Sequence, residues 1–321
     1  MNKDKPILLV GLGAIGSVIY KRLALKNYTT VCLTSVKSSK IIRRKGLRVK
    51  LSTEESLKLQ DCEVYGELTE KQIFDRCIIT AKAWVNEFLA DDLVKHLKSS
   101  ASILFLQNGL NIEDPFLKFD NNWRLFRGLT SLAAYRKQDN EAFEASVGET
   151  KIGPINNNDT DLLAEWKEIL NDIGLNVVLS DNIRKDIWLK TMVNCTIGPL
   201  AAITELKNGE ILKDAFLSRI VDSIIQEILS VAPKDLGISY EDSIQLIKKI
   251  TEETARHKSS MLQDVEAERR TEIDVLNSEI VRLAKSKGIN VPINTKIVDL
   301  IQKLSNKNNA KEQIILELRS L

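Results

Sequence analysis

The sequence is poor in the residues that build metal centres. Its 321 residues include only two histidines, His96 and His257, and four scattered cysteines, none of which forms a C-x-x-C pair. A structural or catalytic metal site is therefore not expected. We interpret the cysteines as small buried hydrophobic residues in a reducing compartment. They are Cys32, Cys62, Cys77 and Cys195.

The chain also lacks a long apolar run and an excess of either charge. No apolar stretch reaches the roughly 18 residues that a membrane span needs. Pro6–Tyr20 resembles a signal peptide, but three glycines interrupt it and Lys21-Arg22 follows it instead of a cleavage site. The formal net charge of +2 argues against a basic face for nucleic acid. We expect a cytoplasmic protein with no membrane or nucleic-acid partner.

The composition is that of a globular protein, with 43% hydrophobic and 28% charged residues. A chain of this length is typically divided into about two domains. Strand patterns alternate with helical patterns up to about Ser180, and only helical patterns follow. We therefore predict an α/β fold with a dinucleotide-binding domain over 1–180 and an all-helical domain over 181–321.

A glycine-rich motif near the N-terminus predicts a dinucleotide site. The apolar run Pro6–Val10 is typical of a strand buried on both faces, and a helical pattern extends to about Lys26. Between them lies a G-x-G-x-x-G motif, whose glycines permit a tight turn, a close approach to pyrophosphate and close helix–strand packing. The helix N-terminus adds N–H groups for the phosphates. The predicted cofactor-binding residues here are Gly11, Leu12, Gly13, Ala14, Ile15 and Gly16.

The residues after the second predicted strand, Thr29–Leu33, favour NADP(H) over NAD(H). An NAD-selective fold usually ends this strand with a carboxylate that binds the ribose hydroxyls. Here the segment Thr34–Lys40 carries hydroxyl groups and two lysines, but no carboxylate. Lys37 or Lys40 would attract a 2′-phosphate, although a plain polar loop is the alternative interpretation.

Two polar residues follow further predicted strands. Arg76–Thr80 precedes Lys82, and Ser102–Leu106 precedes Asn108, with a helix predicted over Trp84–Leu97. Ligands of open parallel sheets bind outside the carboxyl ends of the strands, so both residues are candidates for the site. Further elements are predicted over Leu47–Leu51, Leu57–Val64, Arg124–Thr130, Phe143–Val147, Thr150–Ile152, Asp161–Asp172 and Asn176–Leu179.

In the second half, helix-breaking residues separate five helical patterns. The predicted breakers are Pro199, Pro233, Gly237, Gly288 and Pro292. The predicted helices cover Asp181–Cys195, Gly209–Val231, Glu241–His257, Met261–Lys287 and Thr295–Leu304, before a charged tail over Ser305–Leu321 that would form a frayed helix. These amphipathic helices would form either a homodimer face or a core.

The segment Ile187–Thr204 contains one charged residue, Lys190. On a helix, Lys190, Asn194 and Gly198 lie along one stripe because residues four apart share a face. A lysine among apolar neighbours needs a partner, a cleft or the loss of its charge. A snorkelling lysine at a domain edge is the alternative.

Ser260 and Glu272, further along the chain, each have a structural interpretation as the alternative to a functional one. Ser260-x-x-Gln263 fits a capping box that opens a long helix. Glu272 lies beside an apolar stripe and would pair with Arg269, three residues earlier, as an ordinary surface glutamate.

Taken together, these segments resemble the ketopantoate reductase (2-dehydropantoate 2-reductase) family, whose members reduce ketopantoate to pantoate with NADPH. The resemblance covers nearly the whole chain in matching order and spacing. Its motifs are GLGAIG at Gly11, AKAW at Ala81, QNG at Gln107, LKTMVNC at Leu189, PLAAI at Pro199, NGE at Asn208, SSMLQD at Ser259, RRTEID at Arg269 and GINVPIN at Gly288.

The resemblance implies a Rossmann-type domain followed by a helical domain, with an active site in the cleft. Lys190 matches the catalytic lysine of the family and would act as general acid. Asn194, Ser260 and Glu272 match residues that bind the substrate, and the resemblance places Glu272 in the catalytic set as well. Lys82 and Asn108 match polar positions near the cofactor and substrate, which makes Asn108 a candidate for binding both.

The sequence departs from the family pattern at several positions. Gly198 and His257 stand where asparagine is common, and Ala201 follows Leu200 where threonine is usual. Ser35 or a neighbour replaces an arginine often used for the 2′-phosphate, which Lys37 would then contact, and Asn277-Ser278 replaces Asn-Gly. Loss of one substrate hydrogen bond changes discrimination by up to about 10⁴-fold.

We therefore expect an NADPH-dependent reductase of ketopantoate in pantothenate and coenzyme A synthesis, with a small 2-oxo acid as its partner. One alternative is a reductase of a different 2-oxo acid or ketone on the same scaffold. A second is a non-catalytic NADP(H)-binding sensor, against which the retention of Lys190, Asn194, Ser260 and Glu272 argues.

Overall fold

The computed structural model describes residues 3–52, 57–59, 62–119, 122–156, 159–305 and 311–321. The chain forms two compact units. The first, here called the sheet unit, comprises Met1–Gln107 and Asn111–Ile183. The second, the helical unit, comprises Asn108–Leu110 and Arg184–Leu321.

The described part of the sheet unit contains twelve strands and five α-helices. The strands are β1 (Ile7–Val10), β2 (Thr30–Leu33), β3 (Leu47–Lys50), β4 (Leu57–Leu59), β5 (Val64–Tyr65), β6 (Phe74–Ile79), β7 (Leu97–Phe105), β8 (Arg124–Thr130), β9 (Ala133–Gln138), β10 (Glu141–Ser146), β11 (Glu149–Pro154) and β12 (Asn176–Leu179). The helices are α1 (Ala14–Leu25), α2 (Val36–Lys45), α3 (Asn86–Leu93), α4 (Asp114–Leu117) and α5 (Thr160–Asp172).

An eight-stranded sheet, ordered β12-β11-β8-β7-β6-β1-β2-β5, forms the centre of this unit. Its neighbouring strands are parallel, except that β8 and β11 are antiparallel. β1 lies between β2 and β6, with Leu8 opposite Val31 and Cys77. All four residues of β1 are buried, as expected for a strand covered on both faces. The predicted α/β class is confirmed.

A second sheet, ordered β4-β3-β10-β9, packs against α1. The fully buried Lys21 of α1 donates to the backbone oxygen of Val49 over 3.2 Å. Arg22 pairs with Glu144 of β10, and Nε of Arg22 lies 2.8 Å from the Glu144 carboxylate. Strand β9 was not predicted, because most of its side chains are partly or fully exposed and it has no apolar alternation.

The helical unit contains the remaining helices. They are α6 (Ile183–Thr204, which begins at the last residue of the sheet unit), α7 (Asn208–Ile211), α8 (Ala215–Val231), α9 (Tyr240–Glu253), α10 (Ser260–Glu266), α11 (Asn277–Ser286), α12 (Pro292–Leu304) and α13 (Lys311–Arg319). The predicted all-helical second half is confirmed for the described residues. The predicted tail helix is present as α13, and 306–310 lie outside the described residues.

Three predicted boundaries in this unit are wrong. Pro199 is not a breaker but lies inside α6. Met261–Lys287 is not one helix: α10 ends before Glu268, whose φ of 53° is left-handed, and a 3₁₀ turn at Ile273–Val275 precedes α11. The segment Gly209–Val231 likewise divides into α7 and α8, and Asp214 caps α8 through its side chain.

In the sheet unit, the alternative interpretation of Thr34–Lys40 as a plain polar loop is wrong, because α2 begins at Val36. One predicted helix is wrong as well. The helix predicted over Trp84–Leu97 is a 3₁₀ turn at Ala83–Val85 followed by the shorter α3, and Leu97 already belongs to β7. The predicted strand Leu57–Val64 is divided between β4 and the first residue of β5, and 60–61 lie outside the described residues.

The ion pair between α1 and the second sheet generates a pH-dependent prediction. Burial by itself would raise the pKa of the Glu144 carboxyl, but hydrogen bonds from Arg22 and Ser52 outweigh it and hold the pKa below its usual range. A carboxyl group whose pKa is lower in the folded state than in the unfolded state stabilises the fold at pH values above its unfolded-state pKa of about 4.3. This stabilisation is lost as the pH falls through the pKa of the folded state. We expect Glu144→Gln to lower the free energy of unfolding by about 1–3 kcal/mol at pH 7.

The measurement is urea unfolding of both proteins from pH 7 to pH 3. The difference between them should shrink below about pH 4 as the wild-type carboxylate is protonated. Glu149→Gln, at an exposed position on β11, is the matched control. A Glu144→Gln effect that stays constant across this range would contradict the account.

Candidate active site

The glycine-rich loop joins β1 to α1 in the sheet unit. Gly11 has a φ of 95°, and a Cβ placed there would lie 2.4 Å from the backbone nitrogen of Ala81. A Cβ on Gly16 would lie 1.8 Å from the carbonyl oxygen of Gly11. These two glycines are therefore required by the packing of the loop against β6 and the start of α1.

Gly13 differs from the other two glycines because a Cβ there would meet no atom within 4 Å. It precedes α1 as the N-cap residue, with no side-chain cap, and the first turn of α1 contains no acidic residue. The first N–H groups of a helix have no partner within it. Open space, free N–H groups and the positive dipole end fit the pyrophosphate of a dinucleotide. Leu12 is only 1% exposed, so its side chain belongs to the core.

The residues after β2 form the start of α2. Ser35 is the N-cap, and its side-chain oxygen accepts a hydrogen bond from the backbone N–H of Ser38. The helix has no acidic residue in its first turn. Lys37 projects into solvent with 82% of its side chain exposed, and its Nζ lies 3.7 Å from the Asp139 carboxylate. An ion pair this exposed is weak and leaves the lysine able to exchange partners.

Lys82 lies between β6 and the following 3₁₀ turn, with its Nζ 5.7 Å from the centre of the Trp84 ring. A buried amide pair anchors the neighbouring backbone. Asn86 and Gln107 each donate to the other, over 3.0 and 2.8 Å, and Gln107 also donates to the Ala81 carbonyl over 2.7 Å. The structure thus fixes the Ala81–Lys82 segment at the carboxyl edge of the sheet.

In the helical unit, Asn108 and Glu272 are brought together. The side-chain amide of Asn108 donates to the Glu272 carboxylate over 3.2 Å, and the N–H of Leu110 donates to the Val275 carbonyl over 3.2 Å. Glu272 is 9% exposed and occupies the N-cap position of the 3₁₀ turn that precedes α11, without a side-chain hydrogen bond to that turn. Arg269, proposed as the surface partner of Glu272, instead donates to Asp264 over 2.9 Å.

Lys190 and Asn194 lie one turn apart on α6, and both are half-buried. The apolar residues that the sequence placed around Lys190 are all buried. They are Ile187, Trp188, Met192 and Val193. A lysine in this setting keeps its stem among apolar side chains while its ammonium group reaches a polar environment.

Ser260 is not the N-cap of α10, contrary to the capping-box prediction. Ser259 holds that position, and its hydroxyl oxygen accepts a hydrogen bond from the N–H of Leu262. The Ser259 hydroxyl also donates to the Gly198 carbonyl of α6 over 3.3 Å. Ser260 is consequently exposed and not used as the cap, so its hydroxyl is available to a ligand.

All five predicted substrate-binding or catalytic residues lie in the helical unit, on four segments of the chain. Asn108 contacts Glu272 directly, and Ser259 ties the Ser260 segment to α6. Asn277, five residues after Glu272, donates from its side chain to the Cys195 carbonyl of α6 over 3.0 Å. The segments that carry Glu272 and Ser260 are therefore both tied to the helix that carries Lys190 and Asn194.

The roles of Ser259 and Asn277 were not predicted. Ser259 was overlooked because its neighbour Ser260 has a glutamine three residues later, as a capping box requires, whereas Ser259 has Leu262 at that spacing. The signal for Asn277 was Pro199: a proline inside a helix leaves the carbonyl four residues earlier without its N–H donor. Of the departures from the family pattern, Gly198 and Ala201 are buried and His257 is exposed.

Among the described residues there is no group of three or more His, Cys, Asp or Glu side chains that could hold a metal ion. Within the same residues, no helix is long and apolar enough to span a membrane.

Comparison with known proteins identifies the relatives of both units. A model described as "Ketopantoate reductase PanE/ApbA" matches residues 7–157, and one described as "Ketopantoate reductase PanE/ApbA C terminal" matches residues 182–305. A 2-dehydropantoate 2-reductase of Archaeoglobus fulgidus is 28% identical over 296 residues, which cover 92% of this chain and 96% of the relative. One of Shigella flexneri is 32% identical over 237 residues, covering 71% and 74%.

Solved structures extend the likeness to the fold. A PanE/ApbA family ketopantoate reductase from Ralstonia eutropha superposes with a TM-score of 0.82 at 25% identity, covering 94% of this chain and 99% of that one. A D-mandelate dehydrogenase in a ternary structure with NADH and anilino(oxo)acetate superposes with a TM-score of 0.86, covering 97% and 99%. At 23% identity the second likeness shows the fold alone.

A mainly parallel sheet with a dinucleotide-type glycine loop, followed by a helical unit, is the arrangement of Rossmann-type oxidoreductases. The matches to both units then make the assignment specific: the chain belongs to the ketopantoate reductase family and is an oxidoreductase of the 2-dehydropantoate 2-reductase type. The resemblance seen in the sequence is confirmed.

The contrast between Gly13 and Gly16 generates a matched pair of predictions. Gly16→Ala should destabilise the fold by about 1–3 kcal/mol, because its Cβ would overlap the Gly11 carbonyl oxygen. Gly13→Ala should fold with nearly wild-type stability, because its Cβ enters open space, yet bind a dinucleotide at least about tenfold more weakly if that space holds the pyrophosphate.

Thermal unfolding without ligand and fluorescence titration with NADPH measure the two effects separately. A Gly13→Ala protein that binds NADPH as tightly as the wild type would show that the pyrophosphate does not occupy this space.

Proposed function

We propose that the chain catalyses the NADPH-dependent reduction of 2-dehydropantoate (ketopantoate) to pantoate, with Lys190 as the general acid. The observation that carries the proposal is that the segments of Lys190, Asn194, Ser260 and Glu272 are tied to one another within the helical unit. Pantoate would then serve pantothenate and coenzyme A synthesis, as membership of the family suggests.

Family membership supports a nicotinamide dinucleotide as cofactor. The loop Gly11–Gly16 would hold its pyrophosphate, since Gly13 leaves open space before the N-terminus of α1. When bound, the reduced nicotinamide supplies a hydride to the ketone carbon of a 2-oxo acid. The fixed Ala81–Lys82 segment is our candidate for orienting the nicotinamide side of the cofactor.

Lys190 would supply the second half of the reduction. As the ketone carbon gains a hydride, its oxygen gains negative charge and needs a proton to become the alcohol. The Lys190 ammonium would stabilise that charge and donate the proton, acting as electrostatic catalyst and general acid together. The buried apolar residues around its stem lower the local dielectric and so strengthen this interaction.

The remaining residues would bind and orient the substrate. The Glu272 carboxylate is an acceptor and would receive the hydrogen bond of a substrate hydroxyl group, with Asn194 as a second partner. Asn108 holds that carboxylate by donating to it, so it would act on the substrate through Glu272 as well as directly. The exposed hydroxyl of Ser260 would donate to the substrate carboxylate.

One observation favours a second candidate, the reduction of a different 2-oxo acid. Gly198 has no side chain, and a Cβ placed there would meet only Met261, at 3.7 and 3.8 Å. At these distances a methyl-sized group would fit against Met261 of α10, and Gly198 offers a substrate no side-chain hydrogen bond. A 2-oxo acid with an apolar group in place of the hydroxyl group of ketopantoate would suit such a position. The same assay distinguishes the two candidates.

The test is the loss of NADPH absorbance with ketopantoate and with a panel of 2-oxo acids that carry an apolar group in place of its hydroxyl group. We expect ketopantoate to be the best substrate, and Lys190→Ala to reduce kcat by about 10²–10⁴-fold with little change in NADPH affinity. Faster turnover of one of these oxo acids would select the second candidate. A Lys190→Ala protein with near-normal turnover would exclude Lys190 as the general acid.

Preference for NADPH rests on the absence of a carboxylate between β2 and α2 and on Lys37 in the first turn of α2. Ser35→Asp places a carboxylate there and keeps the cap of α2, because aspartate caps a helix as well as serine does. The new charge should repel a 2′-phosphate and bind ribose hydroxyls. We expect kcat/KM for NADPH to fall about tenfold or more, and the value for NADH to rise.

Ser35→Asn is the matched control, since asparagine also caps the helix but carries no charge. It should retain the preference for NADPH. If the wild type uses both cofactors equally and Ser35→Asp changes neither kcat/KM value, this segment does not contact the adenosine ribose.

A further inference from the structure

Pro199 creates a local problem inside α6. In an α-helix the N–H of residue 199 would donate to the carbonyl of Cys195, but proline has no N–H. Both residues are buried, so water cannot replace the missing donor. A buried carbonyl without a hydrogen bond is unfavourable, and another group of the protein has to satisfy it.

Asn277 supplies that donor. Its Nδ2 lies 3.0 Å from the Cys195 oxygen, and its side chain is completely buried. The same nitrogen donates to the side-chain oxygen of Asn294 over 3.0 Å. Both amide protons of Asn277 are therefore used, one of them to replace the helix bond that Pro199 removes.

A carboxylate determines the orientation of the linked side-chain amides of Asn294 and Asn277, here called the chain of amides. Glu227 accepts from the backbone N–H groups of Ile293 and Asn294 and from the Asn294 side-chain nitrogen, over 2.7–2.8 Å. Because a carboxylate only accepts, the nitrogen of Asn294 faces Glu227 and its oxygen faces Asn277. The nitrogen of Asn277 is thereby directed at Asn294 and at α6.

The position of this bond relates it to the proposed active site. Cys195 directly follows Asn194 on the helix that carries Lys190, and Asn277 opens α11 shortly after Glu272. The bond therefore holds the helix of the proposed general acid against the segment of the proposed substrate carboxylate partner. A displacement of about 1 Å in such an arrangement can cost 10²-fold in rate.

We propose that Asn277 is a positioning residue for the reduction: by satisfying the Cys195 carbonyl that Pro199 leaves open, it sets the place of Lys190 and Asn194 relative to Glu272. This role rests on the proposed function. Asn277 acts through α6, so its loss should affect kcat more than the KM for NADPH, whose glycine loop belongs to the sheet unit.

The experiment is a double-mutant cycle with Asn277→Leu and Pro199→Ala in the full-length protein. Leucine keeps the approximate shape of asparagine and removes the donor, whereas alanine at 199 restores the N–H that the helix lacks. We expect Asn277→Leu to lower kcat with ketopantoate by about ten- to a hundredfold. In the Pro199→Ala background the same change should cost no more than about threefold, because the Cys195 carbonyl then has its helical donor.

Ile280→Val, one turn further along α11, is the control for a general loss of stability. Ile280 is fully buried and takes no part in the chain of amides, so this variant should have a lower Tm but unchanged kcat at a temperature well below it. If Asn277→Leu is recovered only as unfolded protein, Asn277→Ser replaces it in both backgrounds, since serine is too short to reach the carbonyl.

Each outcome decides the role. Normal turnover of Asn277→Leu, or an equal loss of turnover in both backgrounds, overturns the positioning role of Asn277. The proposed function still stands in that case, provided that the wild type reduces ketopantoate. A wild type that reduces no 2-oxo acid of the panel overturns the proposed function, and the positioning role with it.

Discussion

The requirement that every buried backbone carbonyl be hydrogen-bonded determines how the helical unit is put together. Helix α6 runs through this unit with most of its residues buried, and two of its carbonyl groups accept bonds from side chains on other segments. Ser259 contacts Gly198, and Asn277 contacts Cys195. The residues proposed to bind and protonate the substrate lie next to these two contacts. The hydrogen bonds that satisfy the α6 backbone therefore also hold the segments of the proposed active site together.

A steric constraint plays the corresponding part in the sheet unit. The carbonyl of Gly11 lies where a Cβ of Gly16 would be, and the backbone of Ala81 lies where a Cβ of Gly11 would be. The hydroxyl of Thr80, which directly follows β6, donates a hydrogen bond to the Gly11 carbonyl over 2.6 Å and so links the glycine loop to the end of β6. The end of β1, the start of α1 and the end of β6 thus fit together only with glycine at two positions, while Gly13 remains open for a ligand.

Much of the sheet unit could be predicted because its signals are local. The continuous apolar run of β1, the glycine pattern after it and the C-terminal Gly174 of α5, with a φ of 81°, each identify an element without knowledge of its neighbours. Strand β9 could not be predicted, since its partly exposed side chains leave no alternation. The start of α2 was missed because its hydroxyl and lysine residues are equally common in loops.

In the helical unit, local signals were misleading where long-range contacts decide the structure. A proline normally ends a helix. Pro199 is accommodated inside α6 because Asn277, 78 positions further along the sequence, donates a hydrogen bond to the Cys195 carbonyl. Glu272 had a nearby arginine as its expected partner, but a residue 164 positions away, Asn108, contacts it instead. Such pairings depend on tertiary structure, so the resemblance to a family, rather than spacing, brought these residues to attention.

The central claim is that a hydride passes from the nicotinamide to the ketone carbon of ketopantoate. The most direct measurement uses NADPH that carries deuterium at the transferable position of carbon 4, followed by mass spectrometry and NMR of the product. The account predicts pantoate with one deuterium, bound to carbon 2. Pantoate without deuterium, or consumption of NADPH without formation of pantoate, would contradict it.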